Sequence, residues 1–71
     1  MKYAVVYEKS SDGWGAYVPD LPGVGVVGDS LEEVEGLVRE AVELHVQDLR
    51  EQGHPVPVAS ATTGYIEVTA G

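Results

Sequence analysis

The chain reads as an α+β domain of order β-β-β-α-β, an antiparallel-rich sheet carrying one helix on one face. Three observations predict this. Runs rich in Val and Tyr are separated by turn residues before residue 30. One stretch of about twenty residues then carries apolar side chains at helical spacing. A last β-branched run lies near residue 66. Seventy-one residues hold a single domain, residues 1–71, with no repeat, linker or low-complexity tract. A chain this short buries only about 60% of its unfolded surface, so its core has little to spare.

The elements follow in order. Lys2 to Lys9 predicts the first strand, and Ser10-Ser11-Asp12-Gly13 a turn in which Gly13 can take positive φ. Trp14 to Val18 predicts the second strand, hairpinned to the first. Pro19-Asp20-Leu21-Pro22-Gly23 cannot continue a central strand, because two prolines remove ladder donors, and predicts a tight loop. Val24 to Val27 predicts a third, short strand ending at Gly28-Asp29. Ser30 and Glu33 have the spacing of a capping box, so the junction Gly28, Asp29, Ser30, Glu33 predicts the helix start. Leu31, Val34, Val38, Ala41, Val42 and Leu49 form the apolar stripe, and Gly53 the C′ residue. After the extended His54-Pro55-Val56-Pro57, residues 62–69 predict the last strand.

Strand side chains alternate between two faces, and one helix covers only one of them. The set Ala4, Val6, Ala16, Val18, Ile66 and Val68 suits a closely packed helix. That assignment leaves Tyr3, Val5, Tyr7, Tyr17 and Tyr65 on the far face, where every tyrosine of the chain would meet solvent or a partner. A large apolar area with polar tips is the composition of an interface, so a homo-oligomer, dimer or tetramer, is expected.

Composition excludes several classes. Twelve acidic residues against four basic ones give a formal charge of −8, which opposes autonomous binding of DNA or RNA and favours a basic partner. The acids available to such a partner are Asp20 and the helix residues Glu32, Glu40 and Glu43. With no cysteine there is no disulfide, thiolate metal site or thiol nucleophile. No run is apolar enough for a membrane span, and Glu8 and Lys9 interrupt any signal-peptide core; the expected address is cytoplasmic. Gly23-Val24-Gly25-Val26-Val27-Gly28 matches G-x-G-x-x-G, but prolines precede it and no βαβ unit surrounds it, so no cofactor is expected. His45 and His54 have no metal spacing, and the scattered carboxylates predict neither a metal site nor catalysis. The chain is expected not to be an enzyme; a divergent nuclease using residual acids is the weakest alternative.

Taken together, these strings resemble the HicB family, the antitoxins of HicA–HicB toxin–antitoxin pairs. Val18-Pro19-Asp20-Leu21-Pro22-Gly23 is similar to the family's most diagnostic segment. Gly28-Asp29-Ser30-Leu31-Glu32-Glu33 is similar to its strand-to-helix junction. Met1-Lys2-Tyr3, Tyr7-Glu8-Lys9, Arg39-Glu40-Ala41-Val42 and Leu49-Arg50-Glu51-Gln52-Gly53 extend the likeness over nearly the whole chain. The resemblance implies a partial ribonuclease-H-like fold without the catalytic carboxylates. It also implies neutralisation of a small basic HicA-type toxin that degrades messenger RNA. The competing expectation is an orphan oligomeric module of the same fold with a different protein or small-molecule partner. Val24 and Gly36 depart from the family pattern. Many members carry a C-terminal DNA-binding module; this sequence ends at Gly71, so operator binding by the chain itself is not expected.

Overall fold

A computed structural model describes residues 1–69. Three strands, β1 (Val6–Ser10), β2 (Gly13–Tyr17) and β3 (Gly25–Gly28), precede one helix, α1 (Leu31–Glu51). The sheet is antiparallel in the order β1-β2-β3, and α1 packs against β2 and β3. The α+β class is as the sequence predicts. The fourth strand is not formed: residues 54–69 adopt no regular secondary structure and pair with no strand among the described residues. The expected stretch 62–69 begins just where the chain leaves the body of the domain.

The hairpin turn differs from its sequence reading. Ser10 pairs with Gly13, so the loop is Ser11-Asp12, and neither residue has positive φ. Gly13 does not have positive φ either; it opens β2. Its glycine is required by close approach, since a Cβ there would lie 2.6 Å from the main-chain oxygen of Gly28. Positive φ is used elsewhere, at Gly23 in the β2–β3 loop and at Gly53 after the helix.

The register decides which side chains meet the helix. β1 and β2 pair with Tyr7 opposite Ala16 and Val6 opposite Tyr17. Directly opposed residues share a face, so the odd-numbered residues of β1 lie with the even-numbered residues of β2. Ala16, Val18, Leu21, Val24, Val34 and Val38 form the buried core, and Tyr3, Val5, Trp14, Val26, Ala41, Val42 and Val46 pack around it. The expected single face of Tyr3, Val5, Tyr7, Tyr17 and Tyr65 is therefore broken up. Tyr3 and Val5 lie on the core, Tyr7 shares their side at the sheet edge, and Tyr17 is on the far side. Tyr65 lies on the unpaired tail.

The helix begins and ends as its sequence predicts. Ser30 is the N-cap and its Oγ accepts from the Glu33 N–H at 3.1 Å. Glu33 Oε1 accepts from the Asp29 N–H, one residue further out than the capping box predicts. A Cβ on Gly28 would run into that carboxylate. At the other end the Gly53 N–H donates to Arg50 O at 3.1 Å and the His54 N–H to Leu49 O at 2.8 Å. This is a Schellman closure, with Gly53 as its left-handed residue.

Beyond it the tail crosses one end of the sheet. The Tyr3 hydroxyl donates to Pro57 O. Asp20 receives three hydrogen bonds at 2.9 Å, from the Ser60 N–H, the Ser60 hydroxyl and the Ala61 N–H. The main-chain donors of Ala61 and Ser60, then the Ser60 hydroxyl, hold the Asp20 carboxyl below its ordinary pKa. A depressed folded-state pKa contributes stability at neutral pH that is lost as pH falls through the lowered value.

Three outcomes are expected. Leu21→Ala, at a fully buried loop position, lowers unfolding free energy by about 3 kcal/mol, read from the urea midpoint. Gly13→Ala destabilises by about 1–3 kcal/mol because main chain must move, whereas Gly36→Ala, with open space around it, stabilises by about 1 kcal/mol. On acidification below the ordinary aspartate range, the Ser60 and Ala61 amide resonances shift together. Asp20→Ala reproduces the shifted positions at neutral pH.

Candidate functional site

The strongest electrostatic feature is the outer surface of α1. Its inward side is set by Val34, Val38, Ala41, Val42 and Val46. By the 3.6-residue repeat this turns Glu32, Glu40 and Glu43 outward, and all three are exposed. Seven of the twelve acids of the chain lie within α1. Three of the expected partner-facing acids are thus brought together on one surface. Asp20 is not among them in role, because both of its oxygens are taken by Ser60 and Ala61.

The signature loop Pro19, Asp20, Leu21, Pro22, Gly23 is a compact turn anchored from both sides. The Leu21 N–H donates to Val18 O at 3.0 Å and the Val24 N–H to Leu21 O at 3.1 Å. Leu21 points into the core while Asp20 faces the tail. The loop therefore presents one apolar anchor inward and one carboxylate outward. The G-x-G-x-x-G string is split between functions: Gly23 is the left-handed turn residue and Gly25–Gly28 is an antiparallel strand. Among the described residues no helix N-terminus faces a buried parallel strand, which is the geometry a dinucleotide site needs.

Open depressions flank the helix on both sides. Beside β3, Gly23, Val24 and Gly25 face Ala41, Leu44, half-buried His45 and Asp48 across a groove of about 580 Å³. Beside β1, Tyr3, Val5 and Tyr7 face Val38 and Val42 across a trough of about 660 Å³, with Lys2, Arg39, Glu35 and Glu43 at its rim. His54 is exposed. Among the described residues no three His, Asp or Glu side chains converge on a common point for a metal. No helix there is long and apolar enough to cross a membrane.

Sequence reasoning missed two features, the Asp20 clasp and the trough beside β1. The clasp joins residues 40 apart, and nothing local in the sequence marks such a contact. The trough depends on which side of β1 faces the helix. That was open to inference, because a two-residue hairpin loop fixes the parity of every opposed pair.

The comparisons accord with this geometry. The family described as "HicB_like antitoxin of bacterial toxin-antitoxin system" matches residues 3–69. A UPF0150 protein of Archaeoglobus fulgidus is 44% identical over 48 residues, covering 66% of this chain and 70% of that protein. A UPF0150 protein of Synechocystis sp. is 39% identical over 56 residues, covering 78% and 71%. An uncharacterised 14.9 kDa protein of Haemophilus phage HP1 is 33% identical over 66 residues; the match covers 93% of this chain and only half of that protein. Among solved structures, a chain of the "HicA3 and HicB3 toxin-antitoxin complex" superposes with a TM-score of 0.70 at 25% identity, covering 84% of this chain and 70% of that one. With the family's description spanning nearly every residue from Tyr3 to Thr69, and the fold shared with a chain of such a complex, this chain belongs to the HicB-like antitoxin family of bacterial toxin–antitoxin systems.

Proposed function

We propose that this chain is a non-catalytic antitoxin that binds and neutralises a small basic HicA-type toxin acting on messenger RNA in the cytoplasm. The observation that carries the reading is the exposed Glu32, Glu40 and Glu43 surface, set on a fold shared with a chain of a toxin–antitoxin complex. A surface built to hold phosphate is cationic, and an anionic protein face is its natural competitor. Neutralisation is then occlusion: the acidic helix occupies the toxin where RNA would lie. The same charge balance argues against the chain holding nucleic acid by itself. We further propose that it acts as a homo-oligomer, since its small core leaves apolar side chains such as Tyr17 and Val27 exposed.

Co-expression with a HicA-type toxin tests the reading. Growth is restored by the native chain and not by a chain carrying Glu32→Lys, Glu40→Lys and Glu43→Lys. In vitro the triple variant keeps its helical circular dichroism and binds the toxin at least roughly tenfold more weakly, mainly through slower association. Growth arrest unrelieved by the native chain, or equal binding by the variant, overturns the proposal. So does magnesium-dependent RNA cleavage by the purified chain, which would make it an enzyme.

A further inference from the structure

We propose that residues 62–69 form an exchanged arm, adding as a strand beside β1 of a second copy. This rests on the self-association proposed above and names the segment and the edge that carry it.

The first observation is the arm itself. Tyr65 is 100% exposed, Ile66 89% and Val68 81%, although β-branched and aromatic residues in alternation are what a half-buried strand contains. Among the described residues the hydrogen bonds that hold the arm are at its base, from Ser60 and Ala61 to Asp20. From there the arm leads away. The longest dimension of the molecule is 53 Å, whereas a 21-residue helix is about 32 Å long.

The second observation is the receptor. β1 is an edge strand, with unpaired main-chain groups along its outer side. Beneath that edge lies the trough of Tyr3, Val5, Tyr7, Val38 and Val42. The sheet is one strand too narrow for its helix on this side. A strand added at β1 would satisfy the edge and set Ile66 and Val68, which alternate onto one face, over the trough.

Charge selects the occupant and the edge. Two bodies of charge −8 repel, so joining them favours a contact of low local charge reaching beyond the body. The arm carries a single charge, Glu67. The strand it would meet is balanced in charge, with Lys9 beside Glu8, and Lys2 lies just upstream; both lysines are exposed, so this edge lacks the net negative charge of the body. A second copy supplies an arm and an edge at once, so reciprocal exchange closes a two-fold dimer with neither left open.

Sedimentation equilibrium of the full chain is the test, against Ile66→Lys with Val68→Lys and against Lys9→Glu alone or with Glu67→Lys. The native chain is expected to be a dimer at 100 µM, and the double arm variant a monomer with unchanged helical circular dichroism. Lys9→Glu weakens association by about tenfold and the added Glu67→Lys restores most of it. Amide exchange shows residues 62–69 protected only at concentrations where the dimer forms. A monomeric native chain overturns both self-association and the arm. A dimer unaffected by the arm variants, or arm protection independent of concentration, overturns the arm alone.

Discussion

The helix and sheet of this protein meet through six small or medium side chains, and the other features of the molecule hang on how closely those let the two layers approach. Ala16, Val18, Val24, Val34 and Val38 are compact and buried where α1 packs on β2 and β3. Leu21 is the exception in size, and like Val18 and Val24 it lies in the segment between β2 and β3. Burying it pulls Pro19–Gly23 tight against the body and turns Asp20 outward. The clasp on Ser60 and Ala61, and with it the course of the tail, therefore depends on a leucine that makes no contact with solvent. A core this small cannot absorb the loss of such an anchor by relaxing around it.

Charge follows from the same packing. Once valines occupy the inner side of α1, every acid of the helix is left on its flanks or outer surface, and Glu33 is drawn back to cap the helix start. The field of the protein is thus concentrated along one rod rather than spread over the body. That arrangement suits encounter with a cationic surface. The sheet, by contrast, carries few charges and leaves one edge beside an apolar trough. The two surfaces differ in chemistry and adjoin at Glu43, which belongs to the acidic surface of α1 and stands at the rim of the trough.

Much of this was legible in the residues. Ser30, Glu33 and Gly53 mark the helix ends through local hydrogen-bond chemistry, and they do so correctly because capping involves only neighbours in sequence. The loop Pro19–Gly23 is likewise set by its prolines and glycine. The tyrosine face was misread because side chains were grouped by composition, small against large, without counting across the hairpin. Ser10 opposite Gly13 makes each opposed pair one odd and one even residue. That count places Tyr7 with Ala16, whatever the residue types prefer.

What the sequence by itself determined, then, is the α+β class, the three strands, the capped helix, the acidic outer surface and the family. Each of these follows from periodicity, local geometry or a contiguous string. What only the tertiary structure decided is which side of β1 meets the helix, why Gly13 is a glycine, and where the tail goes. The reason is physical: a strand is defined by a partner as much as by its own residues. Residues 62–69 have the composition of a strand and pair with no strand among the described residues.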